Sequence, residues 1–548
     1  MNYSKTYFWV LLLLLSSVYS QAQVQLSTDF DVKLGEPYKV VDARSKRYFS
    51  VGNNKTLSVK TNRETVYIQM YSYSKDGAKE VSNTEYKKEL QKGSQLIDII
   101  QTKDKLHYIY EVYNKKNKNF EVYSREINQS KGTFASAKKV FTSKAKVQKT
   151  YMNMAGIIAV QSLYALSAQP RFDIITSFNK EKILIRYRNV PEKKRDAVNF
   201  DILGFQVFDQ DMKKEWGKEV KMPYTEKDMN NLTFGVLSNG NAFMIAQKNQ
   251  DKKLELFTIT ATGLKITPLD ISGDYYFMKI NLNEDVNGNL ICAGLYSEDG
   301  VDIKVAIGGF GSGGISYNTN GFVYFKMEPT GKVLAFKDYE FSLELIQQYV
   351  SNRIKKRAEK REDKGKAGIE DLKLVEMINQ KDGSTVFICE RQYARSEMWG
   401  TDTKTVYHYY NIVAMKVDAD GNLAWVKKIP KNQAGINGTG QMSIKYIEGD
   451  GYHYVLYVDN PKNLNISIED APATHKDGMG GFLTACKIDD ETGKYEKHTV
   501  LDMRNIEEKV AHQFSVTRIY EANVEDQIFM MEAYLKNKKD AMIKIELK

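Results

Sequence analysis

The chain has 548 residues, with 79 Lys and Arg against 69 Asp and Glu for a net charge of +10. That length can bury one large core or several, and a 27% charged fraction is ordinary for a folded protein. The basic residues are spread through nearly every turn instead of gathering in one patch, which argues against nucleic acid as a partner.

Lys5 precedes the apolar run Phe8–Leu15, and Ser20-Gln21-Ala22 follows as a small-x-small cleavage site. Residues 1–22 therefore read as a signal peptide, leaving Gln23 as the mature terminus. The run is too short to span a bilayer, and no later segment is long and apolar enough to do so. No Cys follows the run to carry a lipoprotein anchor. The expectation is an exported protein, periplasmic, extracellular or held at the outer membrane.

Aromatic residues make up 11% of the chain, Tyr alone numbers 35, and Pro only 9, a composition suited to pleated strands. Gln25–Val40 is strand-like and stands apart from any repeat. A cadence then begins: an apolar and aromatic run, a tight turn, and a more polar strand. It occurs at Val66–Tyr86, Phe120–Phe141, Ile202–Pro223, Leu254–Ile271, Phe322–Phe341, Ile412–Lys431 and Phe482–Leu501. Its first half returns at Met542–Lys548. Lys326, Lys416 and Lys487 hold one register within it. Before several copies lies another pair of runs around an Asn-Gly or Asp-Gly turn, at 232–247, 280–296, 374–390 and 444–458. Each unit thus reads as four antiparallel strands, A to D.

This cadence resembles that of β-propeller repeat proteins exported to the bacterial envelope. The resemblance covers the mature chain and is architectural. There is no WD dipeptide, kelch Gly-Gly signature or Asp-box, so no functional residue is carried over. The expected fold is all-β: one domain over 23–548, an eight-bladed propeller of four-stranded blades, with seven blades or a linear solenoid as alternatives. The last unit lacks a D strand, and the segment at about 25–40 could supply it and remove an open sheet edge.

Two stretches break the strand rhythm. In 143–170, the apolar middle at 154–168 reads as a buried helix or packed loop. In 341–374, Leu345, Ile346, Tyr349, Val350 and Ile354 form a helical stripe followed by the charged run 353–366. Ser342 serves as N-cap and Gly365 as stop, predicting one helix of about five turns over 342–364. Three further excursions, Ser297–Asn320, Arg391–His408 and Asn460–Gly480, fall between strands B and C. In a four-stranded antiparallel blade, B–C loops and D-to-A connections leave one rim, so all five excursions should project from the same side. Long loops on a rigid scaffold tend to carry binding residues.

Within 391–411, Arg391, Tyr393, Arg395, Trp399 and Tyr410 are recognition residue types. Tyr407 and Tyr409 could instead begin strand C and face the core. His475 and Asp477 lie in another excursion and form the best acid–base pair available. Gly-rich 308–322 lacks the ending of a phosphate loop, and the turns at Asp285 and Asp418 lack the closing Glu of a calcium loop. Cys292, Cys389 and Cys486 sit in apolar strand patterns as buried free thiols. No metal or cofactor motif is present. The reading is a non-catalytic module that binds an envelope protein or glycan through one face, with helix 342–364 as a docking element. The alternative is a glycosidase or lyase with its site at the channel mouth on that face.

Overall fold

The structure is a computed structural model. It describes residues 26–144, 146–149, 171–271, 273–298, 300–304, 314–399, 402–436, 440–477 and 480–548. Residues 1–22, expected to be a signal peptide, and the apolar stretch 154–168 lie outside the described residues.

The chain forms eight antiparallel blades in a closed ring. Blade 1 runs Ser45–Ser50, Lys55–Asn62, Thr65–Ser74 and Gly77–Tyr86. Blade 2 runs Gln95–Gln101, Leu106–Asn114 and Asn119–Asn128, with Thr133–Phe134 and Lys138–Thr142 sharing its outer edge. Blade 3 is Phe172–Thr176, Lys182–Arg188, Phe200–Asp209 and Lys214–Thr225. Blade 4 is Met229–Val236, Ala242–Lys248, Leu254–Ile259 and Leu264–Pro268. Blade 5 is Tyr276–Glu284, Leu290–Ser297, Gly321–Met327 and Val333–Glu340. Blade 6 is Leu372–Asn379, Thr385–Trp399, Asp402–Val417 and Leu423–Gly435. Blade 7 is Lys445–Gly449, Tyr452–Asp459, Phe482–Asp489 and Tyr495–Asp502.

Blade 8 takes Tyr520–Asn523, Ile528–Lys536 and Lys539–Leu547 from the C-terminal end and Phe30–Leu34 from the N-terminal end. Phe30 pairs with Leu547 and Leu34 with Ile543. The same segment reaches both neighbours. Ser27 N donates to Thr499 O of blade 7 at 2.7 Å, and Glu36 N donates to Ala78 O of blade 1 at 2.8 Å. Gly35 N donates to Met542 O, and a Cβ at Gly35 would collide with the backbone oxygens of both Ala78 and Met542. Glycine is required here for close approach of three backbones.

The apolar face of each blade is covered by the next, giving eight clusters of buried side chains, one at every junction. The three cysteines are buried within these junctions and unbonded. The turns at Asp285 and Asp418 are closed by their own backbone. Asp285 Oδ1 accepts from Asn287 N and Asn289 N at 2.9 and 2.8 Å, and Asp418 Oδ1 accepts from Asp420 N and Asn422 N at 3.0 and 2.7 Å. This is hairpin chemistry.

The helical expectation needs correction. Two helices stand where one was expected, α1 (Leu343–Gln347) and α2 (Asn352–Glu362). Ser342 caps α1 by accepting from Leu345 N, and Gly365 (φ +64°) ends the stretch. Between the helices Tyr349 adopts φ +55°, its N–H donates to Ile468 O at 2.9 Å, and its hydroxyl meets that of Tyr495 at 2.8 Å. Tertiary anchoring of Tyr349 outweighs the local helical stripe.

Candidate functional site: the dressed rim

Four of the five excursions touch one another. Gly314–Thr319 of the blade 5 excursion pairs with Val301–Lys304 and, through Asn318 and Thr319, with Ile369–Glu370 after α2. This part of the Gly-rich stretch is therefore strand, not free loop. Tyr349 and Lys355 bind Ile468 and Glu469 of the blade 7 excursion. His475 and Lys476 of that excursion run parallel to the end of blade 6 strand D, Gln433 opposite His475. The expected Arg391–His408 loop is instead a hairpin: strands B and C of blade 6 continue past the sheet, with Tyr393 opposite His408 and Arg395 opposite Val406. Alternation of β-branched and aromatic residues carries the strand register through this stretch.

One face of the hairpin gathers the cations and aromatics. Tyr393 stacks on His408 (4.7 Å, 22°) and on Tyr410 (5.6 Å, 10°). The Arg391 guanidinium lies over both tyrosine rings at 5.2 and 5.4 Å, and Arg395 lies over Tyr393 at 4.5 Å. Tyr407 and Tyr409 fall on the other face by alternation and are half-buried. The Trp399 side chain lies outside the described residues. Burial, then the neighbouring Tyr410, pushes the Tyr393 phenol well above its ordinary value, so it remains a donor at any physiological pH.

Sequence reasoning missed Glu370. Its carboxylate faces Arg357 at 2.9 Å, Arg361 at 3.6 Å and Arg391 at 3.8 Å, and its carbonyl accepts from Arg391 Nε at 2.9 Å. One acid thus serves three guanidiniums. Helix α2 reads NRIKKRAEKRE, six basic residues against two acidic, with only Ala358 buried. Helix α2 is therefore strongly basic. Nothing local marks Glu370, because its partners are 13, 9 and 21 residues away on other elements.

His475 and Asp477 are placed differently from the arginine–tyrosine face. His475 is buried, and burial lowers its imidazole to about 4 despite Asp477. Asp477 Oδ1 accepts from Gln441 N at 3.0 Å, and its own N–H donates to Ala434 O. Nearby, Lys431 and Glu390 form a fully buried ion pair at 2.6 Å. Ser443 Oγ and Gln392 Nε2 donate to the other Glu390 oxygen, and Lys431 Nζ also reaches Gln433 Oε1 at 2.8 Å. Both partners belong to blade 6, and the links from this cluster to blade 7 are Ser443 and the Gln433 amide, which donates to Val458 O at 2.8 Å. Among the described residues no three His, Cys, Asp or Glu side chains are placed to hold a metal ion, and no helix is long and apolar enough to cross a membrane.

No family model and no curated protein matches the chain. Among solved structures it is similar to the WD40 domain of SCAP from fission yeast, at 8% identity and TM-score 0.35 over 95% of this chain and 97% of that one. A putative 6-phosphogluconolactonase from Bacteroides fragilis aligns at 12% identity and TM-score 0.33, over 90% and 99% of the two chains. Prolyl oligopeptidase B from Galerina marginata aligns at 10% identity and TM-score 0.36, over 95% and 55%. At these levels the likeness carries no functional weight.

Proposed function

We propose that the protein is a non-catalytic binding module of the bacterial envelope whose dressed rim engages an acidic protein surface. The supporting observation is the Arg391–Tyr393–Arg395 ladder with His408 and Tyr410 beside the basic helix α2. Tyr and Arg are the side chains most often responsible for binding energy at protein interfaces. The guanidiniums lie over the tyrosine faces, so those faces are taken; Arg391 also donates to Glu370 O, and Arg395 is the exposed donor the hairpin presents. That favours an acidic protein over a neutral sugar, which would need an open ring face.

Export is supported by the order of Lys5, Phe8–Leu15 and Ala22. Sequencing the N-terminus of protein recovered from native cells should give Gln23; an intact Met1 would remove the envelope assignment. Binding is tested by co-sedimenting purified protein with isolated envelopes. Arg391→Ala with Arg395→Ala should weaken binding about tenfold or more, the loss of charge-assisted hydrogen bonds. Protease treatment of the envelopes should abolish it. Binding that survives protease but not polysaccharide digestion would make the ligand a glycan.

A further inference from the structure

A second site lies away from the rim, on the outer edge between blades 2 and 3. A cleft of about 300 Å³ opens between Phe141 of blade 2 and the outer strands of blade 3. That volume is the lower end of small-molecule sites. Two glycines make the room. Tyr187 lies flat over Gly204, its cross-strand partner, and the Gln206 amide lies over Gly217, its partner on the next strand. Any side chain at position 217 would fill the space that the amide and the cleft now share.

The chemistry of the walls is specific. Gln206 is buried, and its Oε1 has no hydrogen-bond partner among the described residues. Its Nε2 donates to the Tyr187 hydroxyl at 3.4 Å, which in turn donates to Glu219 at 2.9 Å, so the one carboxylate on the wall is engaged. Lys144, Lys214 and Lys218 line the cleft and form no ion pair among the described residues. Lys214 lies over the Phe141 ring at 5.9 Å, and burial together with the charge of Lys144 lowers its pKa. Three lysines without an ion pair against the single carboxylate of Glu219 leave an excess of positive charge that calls for an anion, and a buried amide oxygen without a donor calls for a hydroxyl. A reversed amide would present N–H to the same hydroxyl.

We propose that this cleft binds a small hydroxylated anion of monosaccharide size, a sugar carrying a carboxylate or a phosphate. The lysine ammoniums take the anionic group, and Gln206 takes a ring hydroxyl. Titration calorimetry of the purified full chain tests it with D-glucuronate, D-glucose 6-phosphate, D-glucose and inorganic phosphate. At least one sugar anion should bind, and which one does identifies the anionic group. Glucose and free phosphate should each bind about tenfold more weakly, one hydrogen bond or charge pair being absent. Lys214→Gln should weaken the sugar anion about fivefold or more and flatten its salt dependence. Gly217→Val, which suits a strand and is checked by an unchanged melting temperature, should abolish binding. Failure of both sugar anions at millimolar concentration, equal binding of glucose, or binding that survives Gly217→Val in the folded variant would overturn the assignment.

Discussion

Lys431 and Glu390 meet at 2.6 Å with neither exposed to solvent. Removing one partner of such a pair strands the other charge in a low-dielectric interior, at about 3–5 kcal/mol. Lys431→Met should therefore lower unfolding free energy by that amount in urea melts, while Lys431→Met with Glu390→Leu should restore most of it. Additive losses would contradict the pairing. The sequence shows Glu390 only as an acid ending an apolar run, and its partner lies two strands away in the blade. The repeated lysines were easier to see, because register marks them. Lys326, Lys416 and Lys487 each meet a carboxylate, Asp285 at 2.7 Å, Asp490 at 2.7 Å and Asp29 at 2.8 Å. The last two tie a blade to the next. Arg391, Tyr393, Arg395 and Tyr410 stood out as residue types, but the strand face they share did not, since the stretch reads as a loop. Glu370 did not stand out at all, because its meaning comes from three arginines on other elements.

At the scale of elements, the rim is held by contacts between excursions far apart in the chain, and this is where sequence reasoning fell short. The apolar stripe at 345–354 is a true helical signal, yet Tyr349 is drawn out of helix by its bonds to Ile468 and Tyr495. The hairpin read as a loop because charged and aromatic residues obscure its alternation. Lys428 shows what the docking of α1 costs. Its buried ammonium donates to Leu345 O at 3.2 Å and Ile346 O at 2.8 Å, and burial, then Arg391, lowers its pKa to about 7. The unfolded chain holds that proton up to about pH 10.4. Between these values the unfolded state binds more protons, so this group makes stability rise with pH. Lys428→Met should flatten that rise by on the order of 3 kcal/mol between about pH 7 and 9.5. An unchanged slope in denaturant titrations at the two pH values would show that Lys428 stays charged in the fold.

The whole molecule depends on closing its ring. The C–D cadence is legible because every blade repeats the same packing problem, an apolar strand facing two neighbours. The closing junction is different. Its apolar cluster is rich in tyrosine, and a charge cluster sits against it. Lys60 and Lys46 of blade 1 bind Glu532 of blade 8, with Tyr38 and Tyr48 donating to the same carboxylate at 2.7 and 2.8 Å. Asp540 lies 3.8 and 3.9 Å from the two lysines. Burial favours the neutral acids, but the lysines hold Glu532 low; burial and the Glu532 charge push Asp540 up to about 6. A raised carboxyl pKa means the folded state binds the extra proton, so stability from this group falls as pH rises from about 4 to 6. Asp540→Asn should remove that fall, and a retained fall would place its origin elsewhere. Gly35→Val, which forces three backbones apart at the same junction, should cost more than about 2 kcal/mol and promote aggregation through the opened edge.

The proposed function requires two unequal rims: one carries the joined excursions, the other tight turns. Charge-matched variants separate them. Arg391→Ala with Arg395→Ala removes two positive charges from the dressed rim, and Lys332→Ala with Lys381→Ala removes two from the turns of the opposite rim. Envelope affinity, measured by co-sedimentation at one salt concentration, should fall about tenfold or more for the first pair and stay within about twofold for the second. Equal losses from both pairs would mean that net charge, not the rim, holds the partner.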